Sequence, residues 1–211
     1  MNDQAKIHLS TLEMELVNNK EWIFTKKQII EKVYLLFGDL HHSYRKIVED
    51  EKQFLPAIFQ RPGGKISKGE NYKGLPYLIL DYPAIFSKEN IFAIRTMFWW
   101  GNFFSISLHL SGQNFKNTNL VSHWIASFQQ NNFFVCINEN EWDHSFHSTN
   151  FIDIKEMGEG QIKNICKKDF FKVAKKIELS EWNNAPDFLE QSFKEIIQVI
   201  KISFPNGEIV P

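Results

Sequence analysis

The stretch IFAIRTMFWW-GN-FFSISLHLS, Ile91 to Ser111, constrains the fold more than any other part of the chain. Two apolar runs flank Gly101-Asn102, a pair suited to joining antiparallel strands. Glycine at the first central position permits positive φ without a Cβ clash, so the expected connection is a two-residue type II′ turn. That turn sets Trp100 against Phe103, Trp99 against Phe104 and Arg95 against Leu108. Strand side chains alternate, so one face then carries Ile91, Ala93, Arg95, Met97 and Trp99 with Phe104, Ile106, Leu108 and Leu110. The other carries Phe92, Ile94, Thr96, Phe98 and Trp100 with Phe103, Ser105, Ser107 and His109. A register one residue away moves Arg95 to the face of His109 and the serines. The second face, aromatic on one strand and hydroxyl-rich on the next, suits either an overlying helix or the floor of a pocket.

Such a hairpin needs further layers, and the chain can supply them. Its 211 residues include 20 phenylalanines and six tryptophans. A globule of this size buries roughly 70% of its unfolded surface and folds without a disulfide or metal. Each buried aromatic removes about 150–250 Å² from water. Leu75 to Tyr82, LPYLILDY, reads as a strand apolar on both faces and ends at Pro83. Ser87 to Asn90 connects it to the hairpin, giving an antiparallel meander.

Helices are expected before and after this sheet in the chain. Leu9, Leu12 and Leu16 recur at helical spacing. Thr25 with Gln28 makes a capping box before a longer helix whose apolar positions are Ile30, Val33, Phe37, Leu40, Tyr44 and Ile47. That stripe is a seam for another helix, most simply the first, as an αα-hairpin. Leu120 to Phe128 gives a further helical stripe, and Phe133 to Asn138 a short strand. Ile162, Cys166, Phe170, Val173 and Ile177 keep helical spacing among many lysines, so residues 163–176 read as a lysine-faced amphipathic helix. A last helix runs from about Pro186 to Phe204, ended by Pro205 and Gly207. The expectation is one α+β domain over 1–211: an N-terminal helical hairpin (1–55) packed on 56–211, an antiparallel sheet centred on the Gly101-Asn102 hairpin, and further helices on the sheet.

Net charge is −1, which supplies no overall field for nucleic acid or an anionic membrane. No apolar run reaches the ~20 residues of a membrane span, and Met1 to Ser10 lacks an apolar signal core. Cys136 and Cys166 set no metal-ligand spacing and read as thiols in a reducing compartment, so the chain is expected to be cytoplasmic. Lysine, isoleucine and asparagine are frequent and arginine is confined to Arg45, Arg61 and Arg95, a skew that AT-rich bacterial genomes produce.

Candidate chemistry is sparse. Arg95 in an apolar face needs a partner, because an unpaired buried arginine costs about 3–5 kcal/mol. Asp81 is in reach if its strand lies alongside; otherwise the guanidinium is an anion clamp for a carboxylate or phosphate. His109, among Ser107, Ser105 and Thr96, is a candidate acid-base group without an orienting acid in sequence. Trp100 would border the same face. Arg61 to Gly74, RPGGKISKGENYKG, suits an anion-binding loop through Arg61, Lys65, Lys68 and Lys73. Asp143, His144 and His147 come nearest to a metal motif but lack further ligands, so no metal and no cofactor is implied. The favoured reading is a non-catalytic ligand-binding or protein-interaction domain. One rival is an enzyme acting on a small anionic substrate, with Arg95 as anion clamp and His109 as acid-base. The other is nucleic-acid binding through the Arg61–Lys73 loop and the 163–176 lysine-rich helix, which the charge balance disfavours.

Overall fold

The computed structural model describes residues 7–60, 63–112 and 118–203. Seven antiparallel strands form one sheet in the order β1-β2-β3-β4-β7-β5-β6. They are β1 (Lys65–Tyr72), β2 (Leu75–Phe86), β3 (Ile91–Trp99), β4 (Phe103–Ser111), β5 (Phe134–Cys136), β6 (Phe151–Asp153) and β7 (Phe170–Glu178). The helices are α1 (Thr11–Asn18), α2 (Lys20–Glu51), α3 (Thr118–Gln129), α4 (Glu159–Ile165) and α5 (Ala185–Ser203). This is the expected α+β class, with helices packed on an antiparallel sheet whose third and fourth strands are the central hairpin. Among the described residues no helix is long and apolar enough to cross a membrane.

The turn of that hairpin differs from expectation by one residue. Trp99 pairs with Phe103, leaving Trp100, Gly101 and Asn102 as a three-residue loop with Gly101 at φ 71°. Asn102 N–H donates to the Trp99 carbonyl and the Asn102 side chain to the Trp100 carbonyl, so Trp100 belongs to the turn rather than to the strand. The one-residue shift flips β4 relative to β3. Phe92, Ile94, Thr96 and Phe98 now share a face with Phe104, Ile106, Leu108 and Leu110. Arg95 shares the opposite face with Ser107 and His109.

The first face is the main core. It packs under α2, α3 and α5. The α2 stripe Val33, Phe37, Leu40, Tyr44 and Val48 is buried, but its partners are α5 and β2 rather than α1. Tyr44 shows why. Its ring stacks on Phe193 of α5 at 3.9 Å and its hydroxyl meets the Thr96 hydroxyl of β3 at 3.1 Å. The expected pairing of the first two helices therefore does not account for the seam: α1 buries none of its residues, and only Asn19 separates it from α2. The cap of α2 is Asn19, whose side chain accepts from Trp22 N–H, so the Thr25–Gln28 box lies inside the helix.

The lysine-rich segment is corrected as well. Residues 163–176 are not one helix. The short α4 ends at Ile165, and the chain then becomes β7, which lies between β4 and β5. Its register sets Lys172 opposite His109 and Ala174 opposite Ser107. The lysines consequently separate: Lys175 crosses to Glu195 on α5 at 2.7 Å, whereas Lys172 and Lys176 lie with the Arg95 face. A continuous basic helix face for nucleic acid is absent from this stretch.

The Arg95 face is covered by the segment between β5 and β6, residues 137–150. Small apolar clusters flank the covered area: Ile79, Met97, Trp99 and Phe103 on one side, Cys136, Phe151, Phe170 and Ala174 on the other. Phe146 packs against both.

Candidate functional site

Two arrangements of charged groups stand out, one sealed and one open. The sealed one lies on the covered face of the sheet. Asp81 of β2 is directly opposite Arg95 of β3 in the strand register. The guanidinium donates twice, from Nε to Asp81 Oδ1 at 2.8 Å and from Nη2 to Oδ2 at 3.0 Å. This forked, charge-assisted pairing is the strong form of the interaction. Phe86 and Trp142 stack near the guanidinium, 5.5 and 5.8 Å from its carbon. Arg95 and Asp81 side chains are 14% and 7% exposed.

The third direction of the guanidinium meets His144, with Nη1 3.2 Å from Nε2. The other ring nitrogen, Nδ1, lies 3.2 Å from Lys172 Nζ. Lys172 also donates to the backbone carbonyls of Glu141 at 2.7 Å and Asp143 at 2.8 Å. Proton counting decides what this means. A neutral imidazole has one N–H and one lone pair. Arg95 is always a donor, so Nε2 must be the acceptor and Nδ1 must carry the proton. Lys172 as a free amine then satisfies everything: two N–H bonds to the carbonyls and one lone pair for Nδ1–H. As an ammonium it competes with Arg95 for the single lone pair of His144. Burial and the nearby Arg95 push Lys172 down to about 8. Burial, Lys172 and Arg95 hold His144 well below the usual histidine value.

His109 sits at the next position along the sheet. Its Nε2 is 2.8 Å from Glu141 Oε2. The geometry is that of an ion pair, but burial, Lys172 and Arg95 push His109 down to about 3, and burial pushes Glu141 up. The contact is therefore a neutral imidazole N–H donating to Glu141. A general acid-base group works best near the operating pH, and a histidine at about 3 is far from it.

The covering segment is pinned by a second knot. Tyr72 hydroxyl donates to Asp143 Oδ1 at 3.0 Å and accepts from His144 N–H at 2.7 Å. Lys73 donates to both Asp143 oxygens at 3.0 Å and to Ser145 Oγ at 2.9 Å. Ser145 gives its N–H and hydroxyl to Asp143. These bonds outweigh the desolvation of Asp143 and hold its carboxyl well below the usual range.

The structure thus brings Asp81, Arg95, Ser107 and His109 to one face and leaves Trp100 out of it, in the turn beside Trp22. Most of the described part of the Arg61–Lys73 stretch is extended strand rather than loop, with Lys73 in the turn that follows. Residues 65–72 are strand β1, with Lys65 and Lys68 on opposite faces, opposite Asp81 and Leu78. Lys73 binds an anion, but that anion is the chain's own Asp143. Arg61 lies outside the described residues. His144 faces inward between two basic groups, a setting that repels a metal cation, and His147 is exposed.

The open arrangement is a groove of about 1140 Å³ between the C-terminal half of α2, the short 3-10 turn Ala57–Gln60, Gly63-Gly64 and Tyr82. His42, Arg45, Lys46 and Lys52 line it from α2, with Glu49 as the acidic member. Lys52 is paired with Glu49 at 2.5 Å. Among the described residues neither Arg45 nor Lys46 has an ion-pair partner. His41, also in the wall, is held below the ordinary histidine value by burial, Arg45 and His42. Its ring packs so closely under Gly64 that a Cβ there would fall 2.3 Å from Nε2, which has no hydrogen-bond partner among the described residues. The sequence does carry a signal for this site. His41, Arg45 and Glu49, like His42 and Lys46, recur at i, i+4 on one helix face.

An α+β sheet with one helical layer, a sealed charged network and a basic groove is the class that fold and site define. The chain matches none of the protein-family models, curated proteins or solved structures with which it was compared.

Proposed function

We propose that this protein is a non-catalytic binding protein that takes a small polyanion, a phosphate- or carboxylate-bearing ligand, in the α2 groove. The observation that carries the reading is the pair of cations, Arg45 and Lys46, that have no ion-pair partner among the described residues and stand on the wall of a groove large enough for a small molecule. A guanidinium is suited to forked recognition of carboxylate or phosphate, and an ammonium adds a mobile point charge. The sealed network supports a structural role for Arg95. Three of its donor directions are already used, and His109 is far from an acid-base pKa. The enzyme reading built on Arg95 and His109 is correspondingly weaker. Thiols outside any disulfide, Cys136 and Cys166, support a reducing cytoplasmic setting.

Thermal denaturation in the presence of pyrophosphate, tripolyphosphate or citrate tests the reading. A ligand at about a hundredfold over its Kd adds about 2.7 kcal/mol, which for a chain this long raises Tm by about 5–10 °C. The shift is expected in the wild type, and to vanish in Arg45→Ala/Lys46→Ala with the unliganded Tm unchanged. No shift with any of the three anions, or a shift that survives the double substitution, removes the groove as the site. A shift lost only in a still-folded Arg95→Met would return the function to the sealed network.

A further inference from the structure

The N-terminal arm is built unlike the rest of the molecule. α1 has eight residues and buries none of them. Isolated helices shorter than ~12–15 residues are marginal in water, so this one calls for a surface to lie on. The helix and the residue two before it are apolar to a degree that solvent does not favour: Leu9, Leu12, Met14, Leu16 and Val17 are all exposed. The exposure continues past the Asn19 break with Trp22, Ile23 and Phe24. Together these expose several hundred Å² per copy, the scale of one side of a standard interface, about 800 Å² per partner.

Charge along the arm identifies the occupant. Residues 7–18 carry Glu13 and Glu15 with no lysine or arginine, whereas residues 20–28 carry Lys20, Lys26 and Lys27 against Glu21. The arm is acidic in its first half and basic in its second. Such a segment is complementary to itself when two copies run antiparallel, because each acidic half then lies over the other's basic half. An isologous two-fold contact has this form. Glu13 is already used in the capping box with Ser10, and Lys26 is paired with Glu70. Glu15 and Lys20 are both exposed, and a two-fold axis near residue 17, the middle of the arm, sets them opposite each other.

We propose that residues 7–27 are a self-association arm through which two copies of the chain pair antiparallel, burying the apolar side chains of α1 and the first turns of α2. This surface is separate from the anion groove, so either reading can fail alone.

Sedimentation equilibrium on the full chain, from about 1 to about 100 μM, spans the weak end of affinities for interfaces of this size. The expected mass is twice the 24.9 kDa of one chain. Leu12→Glu/Leu16→Glu should return the mass to 24.9 kDa with an unchanged circular dichroism spectrum of the sheet, because α1 buries none of its residues. Glu15→Lys alone should weaken association about tenfold by setting like charges together twice, and Glu15→Lys with Lys20→Glu should restore it. A wild-type chain of 24.9 kDa throughout, including one that instead binds lipid vesicles, overturns the proposal. So does association indifferent to Leu12 and Leu16, or a double reversal that fails to rescue.

Discussion

Arg95 is held by what surrounds it more than by the strand that carries it. Its forked bond to Asp81 takes two donors, His144 a third, and the rings of Phe86 and Trp142 flank the guanidinium. Removing one member of a buried pair leaves the other charged and unsolvated, at about 3–5 kcal/mol, whereas removing both is far milder. Arg95→Met should therefore lower urea-unfolding stability by about 3–5 kcal/mol, and Asp81→Asn in the same chain should recover a large part of that loss. Equal, additive losses from the two substitutions would mean that the pair is not coupled. Asp81 as partner of Arg95 was legible in sequence, since two adjacent antiparallel strands each carried one charge in an apolar run. Lys172 and His144 were not. Lys172 was hidden because FFKVAKK fits a helical stripe as well as a strand, and His144 because an irregular segment has no period from which to read a face.

The elements show where local pattern suffices and where it does not. The stripe on α2 was readable, because Val33, Phe37, Leu40 and Tyr44 recur at helical spacing whatever they face. What they face depends on tertiary packing: α5 and β3 offered Phe193, Leu189 and Thr96, while the short α1 ended up buried against none of them. Phe37→Ala should cost about 3–5 kcal/mol by leaving a cavity between helix and sheet. Leu35→Ala, at a position 71% exposed, should stay within about 0.5 kcal/mol. Denaturant titration of the two variants would settle the orientation of α2; comparable losses would place the seam elsewhere. The central hairpin teaches a narrower lesson. Its strands and its Gly101 bend were plain, but Gly-Asn serves two- and three-residue loops alike. The extra loop residue, Trp100, put Arg95 with Ser107 and His109 rather than with Leu108. A single residue of register decided which charged groups could form the sealed network.

For the molecule as a whole, the sealed face makes stability depend on pH in a definite sense. Stability rises with pH wherever the unfolded chain binds more protons than the folded one. His109 is about 3 folded against 6.5 unfolded, so between those values the unfolded chain takes up a proton that the fold excludes, and stability falls as pH falls. His144 acts in the same sense, and Asp143 adds to it at lower pH, since its folded carboxyl resists protonation. Glu141, shifted upward, opposes them. On the alkaline side Lys172 is about 8 folded against 10.5 unfolded, so stability keeps rising between those values as the amine form fits His144, Glu141 and Asp143 together. Tyr72, raised to about 12 against 10, turns the curve down above pH 10, and the buried Tyr44 shifts in the same direction. The Cys136 thiol, raised by burial above its ordinary value of 9.0, opposes the Lys172 rise as well, so the stability maximum should lie between about pH 9 and 10, alkaline of the usual range of about 5–8. Urea unfolding measured across pH 5 to 10 checks this, with Lys172→Met as the control. The variant should lose the rise between 8 and 10 while keeping the acid limb that His109 and His144 set. A wild-type curve flat above pH 7, or a rise that persists without Lys172, would show that the proton count at His144 is not what ties the covering segment to the sheet.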